Sequence, residues 1–443
     1  MTRSDTIFAL SSGRPPAGIA VVRVAGPNAR SALEALAGSV GEPRRVRLVS
    51  LRDPNSGEAL DRGLTVLFPA PASATGDDVA EFHLHGGRAV VADVLAALGR
   101  LDGLRLAEPG EFTRRAFANG VLDLAAVEGL ADLIAADTTA QRRQALRQAE
   151  GALGGVVAGW RERLIGIAAL AEAAIDFADA DDVPDGLIGP ARAAAAALLG
   201  DIEAVLAGAR RGERVRGGLT VVIAGPPNAG KSSLLNALAR REVAIVSATP
   251  GTTRDAIEVH LDLDGVAVTV IDTAGLRDGV DPVEAEGIKR ALARMALADL
   301  VLWLEPAGAA AAEPPAVAAP VWRVGTKHDL DTGEAGAERD DGAERHRISV
   351  VSGAGLNRLV AELARVAVDL VGGEPALVTR ARQAAALRAV AAALGEAVQR
   401  SDSAPELFAE DLRRAARGLG QVVGAVDVED VLDAVFRQFC IGK

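Results

Sequence analysis

The chain is poor in cysteine, with a single one, Cys440, in 443 residues. One thiol cannot build a disulfide framework or a cysteine-rich metal site, and such scarcity fits a reducing compartment. Long apolar runs are also missing. Stretches such as 191–199 are alanine-rich and short of the roughly 20 residues that a membrane-crossing helix needs. The opening MTRSDTIFALSSGRPP lacks the charged-then-apolar order of a secretory leader. Positive charge is in deficit, since 48 Lys and Arg stand against 60 Asp and Glu, a net charge of −12. No global field is available for neutralising phosphates, so any contact with nucleic acid must rest on a local basic patch or a partner. The expectation is a cytoplasmic protein with no membrane association.

What is present describes a globular chain. Hydrophobic residues make up 49% and charged residues 24%, ordinary for folded domains, and the length suits about three domains. Residues 1–120 mix short β-like runs (Gly18–Val24, Gly63–Phe68, Val79–Leu84) with turn clusters and a helix expected from about Arg88 to Arg100. This predicts a compact α+β domain. Over 121–216 apolar residues recur at helical spacing, with a break around Asp179–Pro184. From 217 to 375 the strand-like LTVVIAG, VTVIDTAG, DLVLWLE, VWRVGTK and RISVVS alternate with helical segments, which predicts a parallel α/β sheet. Within it, EPAGAAAAEPPAVAAP at 305–320 is low-complexity and reads as a surface loop. Residues 376–443 are helical again. The economical organisation is an α/β domain inserted between two parts of one helical domain.

Gly225-Pro-Pro-Asn-Ala-Gly-Lys-Ser232 fits G-x-x-x-x-G-K-[ST], directly after a strand and opening a helix. In such a loop glycines let backbone N–H groups turn inward as an anion nest, Lys231 reaches the β/γ-phosphates, and Ser232 ligates Mg²⁺. Asp272-Thr-Ala-Gly275 follows a strand; there an aspartate can meet Mg²⁺ through water and the Gly275 N–H can sense a γ-phosphate. Between them Gly251-Thr-Thr-Arg-Asp255 offers Thr253 to the metal when triphosphate is bound. Base selection is expected at Thr326-Lys327-His328-Asp329, because Asp329 can accept both the N1–H and 2-amino donors of guanine. The usual signature has Asn where this chain has Thr326, and the expected consequence is loss of an amide that braces the loop. Ser349-Val-Val-Ser-Gly-Ala-Gly fits the last guanine loop, with Val350 at the usual Ala.

Hydrolysis needs a group to orient the attacking water, and Leu276, at the place of the usual Gln, cannot do so. Glu284, in the acidic run Asp281–Glu286, is the favoured candidate. On spacing alone a solvated helix start explains it equally well. Arg254 is either a positive element at the transition state or a salt-bridge partner.

With these motifs in place, the chain resembles the MnmE (TrmE) family of bacterial tRNA-modification GTPases over essentially its full length. The matching segments are DTIFALSSGRPPAGIAVVRVAG, TGDDVAEFHLHGG, LAEPGEFTRRAFANGVLDLAAVEGLADLI, IAGPPNAGKSSLLNAL and the terminal FCIGK. The resemblance implies a folate-binding, dimer-forming domain (1–120), a helical domain in two segments (121–216 and 376–443), and an inserted Ras-like G domain (217–375). It implies GTP contacts at Asn228, Ala229, Gly230, Lys231, Ser232 and Ser233, then Ser247, Ala248, Thr249, Pro250, Gly251, Thr252 and Thr253. Further contacts would be Asp272, Thr273, Ala274 and Gly275, then Thr326, Lys327 and Asp329, and finally Ser349, Val350 and Val351. Mg²⁺ would lie on Ser232 and Thr253. K⁺, in the place of an arginine finger, would lie on Asn228, Ser247, Thr249 and Thr252. Glu284 falls at the family's catalytic glutamate.

The resemblance further implies a homodimer that joins an FAD-containing partner, MnmG, in a heterotetramer. That complex builds a carboxymethylaminomethyl-type group at C5 of the tRNA wobble uridine. The one-carbon unit would come from 5-formyl- or methylene-tetrahydrofolate. No strand-linked G-x-G-x-x-G is evident, so FAD would come only with the partner, and tRNA would be held through the complex. Folate contacts would be Arg23, Glu81, Val121 (usually a Lys) and Lys443, with Cys440 a candidate functional thiol. A carboxylate suits the donor pair of a pterin and an arginine an anionic tail. His83 and His85 share a strand face, but no third metal ligand accompanies them. The competing classes are an rRNA-binding ribosome-assembly switch, which should carry a KH-like appendage, and a membrane-remodelling GTPase, which should carry a basic amphipathic anchor. Neither is evident.

Overall fold

Strand formation in the first 106 residues follows short β-branched and aromatic runs bounded by turns. The computed structural model describes residues 5–176, 188–245, 258–273, 291–308, 312–330, 345–401, 404–425, 435, 436, 439, 441 and 442. The first sheet is built from β1 (Thr6–Leu10), β2 (Ala17–Ala25), β3 (Arg47–Arg52), β4 (Ala59–Phe68), β5 (Val79–Gly86) and β6 (Leu104–Leu106). Its order is β3-β4-β5-β2-β1-β6, with only the β1–β6 pair parallel. Helices α1 (Ala29–Ala37) and α2 (Arg88–Gly99) cover one face, where Phe8, Val22, Phe82, Leu33 and Leu98 are buried together. On the other face Ile7, Ala9, Ala25 and Val79 meet Phe112 of α3 (Glu111–Ala118). This is the expected α+β domain, with β1, β3 and β6 added to the strands read from sequence.

The chain then becomes helical: α4 (Leu124–Ala135), α5 (Thr139–Ala149), α6 (Ala152–Asp176), α7 (Ile188–Ala207) and α8 (Ala209–Gly217). Helices Ala381–Gln399 and Pro405–Val423 follow late in the chain. The last of these lies along α6, where Arg413 pairs with Glu172 at 2.5 Å.

The second sheet comprises β7 (Leu219–Ala224), β8 (Glu258–Leu263), β9 (Val266–Asp272), β10 (Leu300–Pro306), β11 (Val321–Thr326) and β12 (Arg345–Arg347), in the order β12-β11-β10-β7-β9-β8. β7 reads as an apolar run broken only by Thr220 because both its faces are largely buried. Val221 and Ile223 face a core completed by Leu234, Leu235 and Leu238 of α9 (Lys231–Ala239) and by the helix Leu356–Val371. Val222 and Ala224 face Met295 and Val301. All neighbours are parallel except the β8–β9 hairpin, so the sheet is mainly parallel, as expected, with one antiparallel pair at its edge. The last strand ends at Arg347, earlier than RISVVS suggested.

Two compact units emerge. One comprises Met1–Ala131, Gln148–Leu199 and Ala386–Lys443, and the other Asp132–Arg147 and Gly200–Ala385. Each junction falls inside a helix.

Candidate functional site

Glycine is required where β7 ends. Gly225 has φ +146°, and a Cβ there would stand 2.7 Å from the Leu304 carbonyl oxygen. Asn228 (φ 59°) and Gly230 (φ 93°) are also left-handed, and Gly230 caps α9. This curls the loop over the start of α9, where first-turn N–H groups lack intrahelical partners and the helix dipole is positive. Lys231 Nζ donates to the carbonyl oxygens of Gly225 and Pro226, both at 2.9 Å, holding the ammonium over the loop. Together these form an anion cradle.

Ser232 Oγ donates to Asp272 Oδ2 at 2.7 Å, and Asp272 is fully buried. The next residue, Thr273, fastens the turn by donating through both N (3.2 Å) and Oγ1 (2.9 Å) to the Ile223 carbonyl. A hydroxyl and a carboxylate held together beside a phosphate cradle are the hard oxygen donors that Mg²⁺ takes.

The base loop departs from expectation at Thr326. Its hydroxyl donates to the Ala229 carbonyl at 2.7 Å, with Thr326 2% exposed. The brace assumed lost with the missing amide is therefore made by a hydroxyl, across to the phosphate loop. Lys327 is left-handed (φ 60°) and opens the short turn His328–Leu330. Ser349 Oγ donates to Asp329 Oδ1 at 2.5 Å, while the Ser352 N–H donates back to Ser349 Oγ at 3.2 Å. Val350 packs on the core and Val351 is 86% exposed. Asn228 and Ser233 are exposed, at the loop and the first turn of α9.

On the first sheet, Arg23 and Glu81 lie directly opposite in register on β2 and β5. Arg23 Nη2 and Nε reach Glu81 Oε1 at 2.8 and 3.0 Å, and His83 Nε2 stands 3.2 Å from Glu81 Oε2. The residues expected to take opposite ends of a folate thus form one ion pair, with the Arg23 guanidinium 5.8 Å from the Phe112 ring centroid. His83, read from sequence only as half of a metal pair, belongs to this group, and its i+2 spacing from Glu81 was the available signal. His85 instead bonds Asp61 at 2.8 Å. No cluster of three or more His, Cys, Asp or Glu side chains suited to a metal occurs among the described residues. Val121 is 42% exposed and lies near Gly76. At the chain end, Ile441 bridges to Pro109, and Gly442 packs so closely on Leu10 that a Cβ would fall 2.0 Å from its carbonyl oxygen.

Ser247, Ala248, Thr249, Pro250, Gly251, Thr252, Thr253, Ala274, Gly275, Glu284, Cys440 and Lys443 lie outside the described residues, as do Arg254 and Leu276.

A glycine-built phosphate loop opening a helix, a Ser–Asp pair beside it and a carboxylate on the base loop, all at the ends of one α/β sheet, define a P-loop GTPase. The comparisons narrow this class. Residues 6–121 match the model of the GTP-binding protein TrmE N-terminus, and residues 124–440 match the MnmE helical domain. The tRNA modification GTPase MnmE of Azorhizobium caulinodans is 60% identical over 444 residues, covering all of both chains. That of Rhodopseudomonas palustris is 55% identical over 449 residues, again covering all of both. Among solved structures, the G domain of the T. maritima FeoB iron transporter is 23% identical, covering 34% of this chain and 98% of that one with a TM-score of 0.24. The chain belongs to the MnmE family of tRNA modification GTPases. It is an enzyme that hydrolyses GTP to GDP and phosphate, coupled to tRNA modification. Among the described residues no helix is long and apolar enough to cross a membrane.

Proposed function

We propose that GTP hydrolysis by this chain is K⁺-activated and Mg²⁺-dependent, and that it gates an FAD-containing MnmG-like partner which installs a carboxymethylaminomethyl-type group at C5 of the tRNA wobble uridine. The observation carrying the nucleotide half is the 2.7 Å Ser232–Asp272 bond, which joins the phosphate loop to the D-x-x-G motif. Mg²⁺ would sit on Ser232 with Thr253 and neutralise charge between the β- and γ-phosphates. Lys231 binds phosphate oxygens, and Asp329, oriented by Ser349, selects guanine. K⁺ on Asn228, Ser247, Thr249 and Thr252 would supply the positive charge of an arginine finger, and Glu284 orients the attacking water. The remaining GTP contacts are those named by motif above.

The same proposal assigns residues 1–120 to folate binding and dimerisation, 121–216 and 376–443 to one helical domain, and 217–375 to the G domain. The Arg23–Glu81 pair supports a tetrahydrofolate site as one polar group, in which the carboxylate suits the donor pair of the pterin ring and the guanidinium holds that carboxylate in place. Lys443 and Cys440 would complete it. Homodimerisation is supported by an apolar strip on the first sheet, where Leu48 lies opposite Leu64, both exposed, with Ile19 65% exposed on the same face. The working location is the cytoplasm, with tRNA held through the complex.

The test is GTP turnover by the full-length chain in K⁺ and in Na⁺, together with nucleoside analysis of tRNA from cells lacking it. K⁺ should raise turnover about tenfold or more, a modest share of what an arginine finger contributes, and Glu284→Ala should abolish turnover with GTP affinity near normal. Equal rates in both salts would remove the K⁺ mechanism, and an unchanged wobble-uridine profile would remove the substrate assignment.

A further inference from the structure

The β8–β9 hairpin is the one stretch of described backbone whose open end meets both phosphate-responsive motifs in sequence. β8 begins at Glu258, just after G-T-T-R-D, and β9 ends at Asp272, the first residue of D-T-A-G. An unbroken antiparallel register from Glu258↔Ile271 to Leu263↔Val266 links that end to the tip. At the tip Asp264 and Gly265 are both left-handed (φ 52° and 85°), and the Gly265 N–H donates to Asp262 Oδ1 at 2.7 Å. Such a turn is stiff, and six residues of strand carry any displacement of Asp272 about 20 Å along the ladder without stretching it.

The tip holds a helix of another chain segment. The Ala140 N–H, in the first turn of α5, donates to the Gly265 carbonyl at 3.0 Å, and Ala140 packs on the G-domain core. α5 is fastened along its length as well. Gln141 Oε1 accepts from the N–H groups of Asp137 and Thr138 at 3.0 and 3.1 Å, and Gln141 Nε2 donates to the Arg216 carbonyl at 3.2 Å. Gln144 Nε2 donates to the Gly212 carbonyl at 2.9 Å, and Arg147 Nη1 to the Pro375 carbonyl at 3.1 Å. α5 thus links the hairpin to α8, the element leading into β7, and to the segment that follows the G domain.

We propose that the Gly265–Ala140 contact is the point at which GTP hydrolysis is coupled to tRNA modification, with both residues positioning α5 according to the nucleotide state read at Asp272. This rests on the reading of Asp272 as part of the Mg²⁺–γ-phosphate site. The experiment is amide hydrogen exchange on the full-length chain with GDP, and with GDP plus aluminium fluoride in K⁺. Exchange in α5 of the unmodified protein should slow about tenfold in the fluoride state. Ala140→Pro deletes the donor in a first turn where proline is tolerated. It should erase that difference while leaving GTP turnover within about twofold, whereas Ala140→Gly, which keeps the N–H, should preserve it. An α5 that exchanges identically in both states, while the phosphate loop responds, overturns this proposal alone. Silence of both regions overturns the nucleotide reading as well. A state difference that survives in Ala140→Pro also overturns the proposal.

Discussion

Replacing Thr326 tests whether one hydroxyl holds the two halves of the nucleotide pocket together. Its bond to the Ala229 carbonyl spans 97 residues of sequence and is buried at both ends. Thr326→Val removes the hydroxyl at nearly constant volume. The Ala229 carbonyl then loses a 2.7 Å donor in a place where water has little access. A buried acceptor left without that donor costs about 1–3 kcal/mol. At 1.4 kcal/mol per factor of ten, the pocket should bind GDP and GTP about 10-fold more weakly, and at most about 100-fold. Both nucleotides should suffer alike, because the brace touches neither γ-phosphate nor metal, so turnover at saturating GTP should be unchanged. Thr326→Ser keeps the hydroxyl and should stay within about twofold of the parent. Stopped-flow dissociation of a fluorescent GDP analogue reads this directly, since loosening of a preformed pocket falls on the off-rate. Parent-like dissociation in Thr326→Val, or equal acceleration in the Ser and Val variants, would refute the brace.

Ser232→Ala should raise the Mg²⁺ concentration needed for half-maximal GTP turnover and lower the maximal rate by about 100-fold, measured by phosphate release across a Mg²⁺ titration. Glu111, 4% exposed, is bound by Arg105 at 2.5 and 2.8 Å, and Asp5 is bound by Arg105 and Arg115. Burial pushes both carboxyl groups up, but the Arg105 hydrogen bond, with the nearby guanidinium charges, holds each below its ordinary value. Folded values below unfolded ones mean stability that is complete above about pH 4–5 and lost as pH falls through the lowered values. Glu111→Gln should therefore be less stable at pH 7 by about 2 kcal/mol, with the gap to the parent closing as pH falls through the lowered carboxyl value, in urea melts followed by circular dichroism.

What was legible in the sequence follows how local its cause is. LTVVIAG announced β7 because burial on both faces leaves Thr220 as its one polar position, and the glycine spacing of the phosphate loop is fixed by backbone geometry within eight residues. β3, RLVSLR, escaped notice because its exposed positions carry arginine, serine and leucine rather than a clean alternation, as suits an edge strand. β1 is five residues long and its identity as a strand depends on β2 and β6 pairing with it. At the site, Thr326 was weighed by the amide it lacks, since a partner 97 residues away has no local signature. Likewise the Arg23–Glu81 pair joins residues 58 apart, and only strand register makes them neighbours rather than separate ligands.

The described part of the nucleotide site is held by bonds within the protein itself, and this sets the order in which its ligands can bind. Lys231 donates to two loop carbonyls, Ser232 to Asp272, Thr326 to Ala229 and Ser349 to Asp329. The Thr326 bond lies beneath the loop and can persist with nucleotide present, so it lowers the ordering cost of binding. The Ser232 bond can persist as well. Its proton goes to Asp272 while the hydroxyl oxygen keeps two lone pairs, so Ser232 could ligate Mg²⁺ and still donate to Asp272, which would reach the metal through water. Mg²⁺ alone would gain little here, because it keeps most of its waters and takes few protein ligands. Phosphate oxygens supply the missing ligands and draw Lys231 toward themselves. Metal and nucleotide should accordingly bind as a pair, with the Ser232–Asp272 bond holding the hydroxyl in place for the metal that the triphosphate brings.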